Sequence, residues 1–191
     1  MPVAAEFEQT VKNLLAAYEG ESNAGAKYAA FAAKADAEGF HGAASLFRAA
    51  SLAEQIHAAN HAKVIVQLGG VVTASLHEQK IGSTLENLKV ALDGENYEID
   101  TMYPEFLEEA KKSNAAGAIR SMTYAIEAEK THSRLYGEAL KLAQAGEKGS
   151  WIYAKRDFYV CAVCGYTSED PNEHEKCPVC NLKWEKFEVV R

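Results

Sequence analysis

Carboxylates and histidines inside apolar helical stripes constrain this chain more than anything else in it. Helical periodicity runs to about residue 145. Phe7, Val11, Leu14, Tyr18, Glu21, Gly25, Tyr28, Ala32 and Ala35 step by fours and threes along a long first helix that Gly39 ends. A second stripe runs Ala43, Phe47, Ala50, Glu54, His57, His61, Val64, Leu68 and stops at Gly69-Gly70. Residues 71–82 show no clear period and read as a connection. Ser83-Thr-Leu-Glu86 is a capping box that opens a third helix. Its stripe is Leu88, Leu92, Glu95, Ile99, Met102, Phe106, with Glu98 one turn after Glu95 on nearly the same face. Pro104 is expected to kink this helix, because it removes a hydrogen bond and clashes with the carbonyl of Asp100. Ser113-Asn114 forms a break, and a fourth stripe follows at Ala118, Met122, Ala125, Glu129, His132, Tyr136, Ala139, Ala143.

Four long helices, with short links 1–2 and 3–4 and a longer link 2–3, predict a four-helix bundle with one crossover connection. The halves form a weak internal repeat, Glu21 preceding Glu54 by 33 residues and Glu95 preceding Glu129 by 34. Ordinary amphipathic helices put Glu on the solvent face. Burying an ion costs several kcal/mol. Five unpaired carboxylates (Glu21, Glu54, Glu95, Glu98, Glu129) would exceed the roughly 5–15 kcal/mol that holds a domain together. No stripe position carries a Lys or Arg to pair with them. Metal cations would supply the missing positive charge. The spacing agrees: Glu54-x-x-His57 and Glu129-x-x-His132 each put two ligands one helical turn apart, facing the same way. Glu21 and Glu95 add one carboxylate from each remaining helix. This is the ligand constellation of ferritin-like di-iron or di-manganese carboxylate proteins, and mixed carboxylate and imidazole ligation suits iron or manganese.

Around this set, His61 reads as a core or boundary histidine, or else as an outer partner of the site. Tyr28 and Tyr103 read either as aromatic core or as hydrogen-bond donors to ligating carboxylates. His41, His77 and His174 read as surface residues.

All four cysteines lie in the last 31 residues. Cys161-Ala-Val-Cys164-Gly-Tyr and Cys177-Pro-Val-Cys180 are paired Cys-x-x-Cys knuckles separated by 12 residues, the pattern of one tetrahedral tetrathiolate metal. Spacing alone admits zinc and iron equally. Residues 1–146 therefore read as the helical domain, 147–156 as a linker, and 157–191 as a small metal module of turns and short strands.

The net charge of −7, without a basic run of five or more, argues against nucleic acid or anionic membrane as partner. No stretch approaches 18 consecutive apolar residues, and the N-terminus has no charged n-region followed by an apolar run. With cysteines in metal-knuckle spacing, the expectation is a reduced, cytoplasmic protein.

The chain resembles rubrerythrin across essentially its whole length. The resemblance is carried by Gly20-Glu21-Ser22, Glu54-x-x-His57, Glu95-x-x-Glu98 with Met102-Tyr103-Pro104, Glu129-x-x-His132, and the rubredoxin-like knuckles at the C-terminus. It implies a non-haem di-iron peroxidase reducing hydrogen peroxide to water. Electrons would come from an NAD(P)H-dependent rubredoxin-type reductase, or a rubredoxin, through one iron held by Cys161, Cys164, Cys177 and Cys180. By resemblance Glu54 and Glu129 bridge two irons, Glu21 and Glu95 are terminal ligands, and His132 binds on the Glu95 side. Glu98 and His57 would exchange on the other iron with redox state. Glu98, His57 and Tyr103 are the residues expected to act in the reaction. The implied assembly is a homodimer in which the thiolate-bound iron of one subunit lies near the di-iron site of its partner. Asn181 stands where rubredoxins usually have Gly, and Asn tolerates the left-handed conformation, so the knuckle is expected to survive. Iron storage with ferroxidase activity and pure electron carriage are rival readings, against which Glu98 and the fused cysteine module argue. The ligands alone leave oxygen open as the oxidant.

Overall fold

The computed structural model describes residues 2–170 and 175–191. His174 lies outside the described residues. Five helices form the bundle: α1 (Glu8–Ala37), α2 (His41–Gln67), α3 (Thr84–Tyr97), α4 (Tyr103–Lys112) and α5 (Ala116–Ala145). Left-handed Gly39 (φ 83°) and Gly69 (φ 85°) follow α1 and α2. Asn114 (φ 52°) makes the turn between α4 and α5. The capping box forms as expected: the Ser83 side chain accepts from the Glu86 N–H, and the Glu86 carboxylate from the Ser83 N–H. The crossover between α2 and α3 is pinned to α1, Asn23 donating to the Ser75 carbonyl at 2.9 Å and accepting from the His77 N–H at 2.8 Å.

The third helix differs from a simple proline kink. It breaks into α3 and α4 through a π-helical turn at Glu98–Met102. The Tyr103 N–H bonds the carbonyl of Glu98, five residues back, and Pro104 falls in the first turn of α4. The wider turn relieves the proline's clash, and a helix start tolerates its missing N–H.

Two apolar clusters fill the bundle. One holds Tyr28, Phe31, Phe47, Leu88 and Tyr136, the other Leu14, Ile65, Met102, Tyr103 and Met122. Along α1, α2, α5 and the α3–π-turn segment the ligand-type residues fall between the stretches that feed these clusters. The polar layer is thus sealed above and below by apolar side chains.

After the left-handed Gly146 (φ 66°) the chain turns back along the bundle. Phe158–Cys161 (β1), Thr167–Ser168 (β2) and Phe187–Val190 (β3) form an antiparallel sheet in the order β2-β1-β3. Ile152, Phe158 and Val160 enter the first apolar cluster, so the C-terminal module is packed onto the helices. Gly42 permits this: a Cβ there would collide with the Trp151 carbonyl. No helix among the described residues is long and apolar enough to cross a membrane.

Candidate metal centre

Glu21, Glu54, Glu95, Glu129, His57 and His132 all come together with no more than 1% exposure. Their ligand atoms fall into two groups, Glu21–Glu54–His57–Glu129 and Glu54–Glu95–Glu129–His132, each within 4.8 Å. Glu54 and Glu129 belong to both, the arrangement that two bridging carboxylates require. Glu98, one turn on, is outside both groups. It is half-buried and lines a cleft of about 390 Å³ between α1 and α3, with Gly20, Asn23, Tyr28, His77 and Gly94.

The cluster needs cations. Among the described residues, the buried side-chain oxygens without a hydrogen-bond partner are Glu21 Oε2, Glu95 Oε2, Glu129 Oε1 and Tyr136 Oη. Three of these four are carboxylate oxygens of the cluster, although Glu129 Oε1 lies 3.0 Å from His57 Nδ1. Burial, reinforced by Glu129, Glu21 and Glu95, pushes the Glu54 carboxyl well above the usual range. Burial and Glu129 push Glu95 up to about 7. Burial lifts Glu98 too. Burial would also raise Glu129, but the two imidazoles beside it outweigh that and hold it low. Burial opposes protonation of both histidines, yet the surrounding carboxylates raise them, His132 to about 9. Two imidazoles are standing in for charge that five carboxylates lack. The donor set of carboxylates and imidazoles fits iron.

Outer partners orient the ligands. Tyr28 donates to Glu95 Oε1 at 2.7 Å, and Tyr103 donates to Glu21 Oε1. Both tyrosines are therefore hydrogen-bond partners as well as core. Both histidines turn Nδ1 to the carboxylates, with Glu54 2.9 Å from His57 and Glu129 2.8 Å from His132. Their Nε2 atoms point to the C-terminal module: His57 is 3.1 Å from the Cys164 carbonyl and His132 is 3.0 Å from Thr167 Oγ1. Thr167 Oγ1 itself donates to the Gly165 carbonyl, so it accepts from His132. Partners of this kind fix Nε2–H and leave Nδ1 free for a metal.

The four cysteine sulfurs lie within 4.8 Å of one another, with Cys161–Cys180 and Cys164–Cys177 at 3.4 Å. Asn181 adopts φ 62°, the left-handed knuckle conformation its position demands. His61 is an outer partner, bonded to Tyr103 and Ser121. His41 pairs with Asp36, whose other oxygen pairs with Arg48, and His77 lies exposed beside Glu19.

The cysteine module lies against the di-metal cluster of the same chain, because the short return after Gly146 brings it onto α2 and α5. Asn60, which donates to the Val163 carbonyl at 2.8 Å, and Thr167 and Gly165 make this contact and were not evident in the sequence. Asn60 falls one turn after His57, and that spacing is the only cue to it.

A ferritin-like bundle with a dinuclear carboxylate–histidine site, fused to a tetrathiolate module, defines a two-site non-haem iron redox protein. The rubrerythrin family model matches residues 12–140, and the model for the rubrerythrin rubredoxin-like domain matches residues 159–188. Rubrerythrin-2 of Clostridium acetobutylicum is 36% identical over 185 residues, covering 94% of this chain and 96% of its own length. Nigerythrin of Nitratidesulfovibrio vulgaris is 33% identical over 172 residues, covering 90% and 81%. The solved structure of fully reduced, all-ferrous nigerythrin superposes with a TM-score of 0.83 at 32% identity, over 94% of this chain and 86% of that one. The bacterioferritin of Mycobacterium tuberculosis, 19% identical with a TM-score of 0.68, shares the fold. This chain belongs to the rubrerythrin family, and its cofactors are a di-iron site with carboxylate and histidine ligands and a rubredoxin-like four-cysteine iron site.

Proposed function

We propose that this protein reduces hydrogen peroxide to two waters, taking two electrons and two protons per turnover, in defence against oxidative stress. Glu54 and Glu129, common to both ligand groups, would hold both irons, Glu21 and Glu95 would each hold one, and His132 would hold the iron on the Glu95 side. His57 and Glu98 would alternate in holding the iron on the Glu21 side. When bound, the iron pair supplies the two electrons that break the O–O bond. Glu98 sits at the floor of the α1/α3 cleft, where peroxide enters, and Tyr103 and Glu98 handle protons. The observation that carries the reading is the hydrogen bond between His57 and the Cys164 carbonyl, a single side chain joining both metal sites. An iron store needs no such link, whereas a peroxidase with an external donor does.

In this reading residues 1–146 are the catalytic domain, 147–156 the linker and 157–191 the electron-accepting module. The donor is an NAD(P)H-dependent rubredoxin-type reductase or a rubredoxin, and the compartment is the reducing cytoplasm. The assembly is a homodimer, and the His57–Cys164 link between the two sites lies within this chain. Exposed Val71, Leu76 and Ile81 on the crossover support an apolar subunit contact.

The test is metal content with an anaerobic peroxide titration of the reduced protein. Three ligand groups predict two irons in the bundle and one on the cysteines. Glu98→Ala should leave the cysteine-bound iron reducible while slowing peroxide oxidation of the ferrous pair about 100-fold, the scale of a lost acid–base group. Oxidation by oxygen much faster than by peroxide would replace this reading with an oxidase or ferroxidase.

A further inference from the structure

A line of buried polar groups leaves the cluster through Glu21 and ends at a second cleft. Tyr103 donates to Glu21 Oε1. His61 Nε2 stands 3.0 Å from the Tyr103 hydroxyl oxygen, and Ser121 Oγ stands 2.8 Å from His61 Nδ1. Tyr103 and His61 are fully buried. Ser121, 5% exposed, lines a cleft of about 110 Å³ between α2 and α5, with Asn60, Lys63, Gly117, Arg120 and Tyr124. That volume admits water.

The direction of every hydrogen bond in the line is determined. A phenol has one proton, and Tyr103 gives it to Glu21, so Tyr103 accepts from His61. The ring proton of His61 is therefore on Nε2, and Nδ1 accepts from Ser121. This pattern needs a neutral imidazole, and burial pushes His61 down to about 4. All donors point from the cleft toward Glu21. Positioning Tyr103 requires only Glu21. An apolar residue at 61 would continue the stripe of Val64 and Leu68 without burying polar atoms.

We propose that Ser121, His61 and Tyr103 conduct one proton from the α2/α5 cleft to the Glu21 edge of the metal cluster. This rests on the peroxide-reductase reading, in which each turnover consumes two protons. A hydronium in the cleft protonates Ser121 Oγ as the Ser121 proton moves to His61 Nδ1. The His61 Nε2 proton moves to Tyr103, and the Tyr103 proton passes along its hydrogen bond to Glu21 Oε1, which hands it to the hydroxide left by peroxide cleavage and so releases water. Each member loses one proton and gains one, so none is left ionised, and no electron travels along the line. The imidazole finishes as the other tautomer and must turn over before another passage. The line therefore supplies one of the two protons, and the second enters from the Glu98 cleft. His61 and Ser121 are relay residues and touch neither metal nor peroxide.

Two measurements test this. The first is stopped-flow oxidation of the reduced holoprotein by peroxide in water and in deuterium oxide. Ser121→Ala should slow it about tenfold and enlarge its solvent isotope effect, while Ser121→Thr, which keeps the hydroxyl, stays near wild type. The second is side-chain nitrogen NMR of the full-length protein with zinc in all sites. His61 should carry its proton on Nε2, and exchange of that proton with water should slow about tenfold in Ser121→Ala. A Ser121→Ala protein with the wild-type rate, isotope effect and exchange overturns the relay, as does a His61 protonated on Nδ1. If the wild type is not oxidised by peroxide, the peroxidase reading falls, but the tautomer and exchange results still decide whether the line conducts.

Discussion

Gly165→Ala separates the folding of the cysteine module from its docking. Each knuckle turns on a left-handed residue, Gly165 at φ 77° and Asn181 at φ 62°. Their N–H groups make equivalent 2.9 Å bonds to the Cys161 and Cys177 carbonyls. Alanine in that conformation costs about 1–2 kcal/mol. At 181 part of this cost is already present, so Asn181→Ala should lose under about 1 kcal/mol. At 165 a methyl would also be driven into the His57 ring, nearest Nε2. In this position the ring is backed by Glu54 and Glu129, 2.9 and 3.0 Å from its other nitrogen, and does not yield to the methyl. The module must move off instead, giving up the hydrogen bonds His57–Cys164, Asn60–Val163 and His132–Thr167. At about 0.5–1.5 kcal/mol each, the loss is about 1.5–4.5 kcal/mol. Both variants should keep the visible spectrum of cysteine-bound iron. In a stopped-flow assay, re-reduction of the oxidised di-iron site through that iron should fall at least about tenfold in Gly165→Ala, the population change worth about 1.4 kcal/mol. It should remain near wild type in Asn181→Ala. Equal rates in both variants would refute the docking argument.

Metal-free protein should lose thermal stability as pH rises from about 5 to 9. Glu95, raised from 4.5 to about 7, and His132, raised from 6.5 to about 9, both bind protons more tightly folded than unfolded, so the fold's advantage disappears as each deprotonates. Metal-loaded protein should not share this decline, since its ligands must be deprotonated to bind. A metal-free melting temperature that climbs across the window would contradict the buried cluster. Cys161→Ser with Cys164→Ser should remove one iron of three and leave one rapid peroxide oxidation of a chemically reduced di-iron site, while steady-state turnover with a reductase collapses. Full turnover would make the cysteine site structural. Tyr28→Phe strips Glu95 Oε1 of its 2.7 Å donor, and should cost about 1–3 kcal/mol by calorimetry of the metal-loaded protein. An unchanged melting temperature would show that Tyr28 serves only as core.

The bundle, its crossover and the two ligand sets were legible in the residues themselves. Helical period is local, and a Glu-x-x-His pair faces one way on any helix. A buried carboxylate without a cation is too costly to be incidental, and paired Cys-x-x-Cys knuckles impose their own tetrahedron. The proline signalled a break in the third helix, but not that a π turn at Glu98–Met102 would absorb it, because that choice depends on how α3 and α4 seat against α5. Glu98 shows the same limit. Helical spacing puts it beside Glu95, whereas the π turn decides that it lines the α1/α3 cleft rather than standing among the closest ligands. Only the tertiary structure chose between core and hydrogen-bond partner for Tyr28, Tyr103 and His61, since the partners of the last two lie 42 to 82 residues away in the chain. The placement of the cysteine module against its own chain's histidines was likewise decided in three dimensions. It depends on Gly42 and Gly165 letting two surfaces approach, and on the hydrogen bonds of His57, Asn60 and His132, contacts for which a one-dimensional pattern has no period.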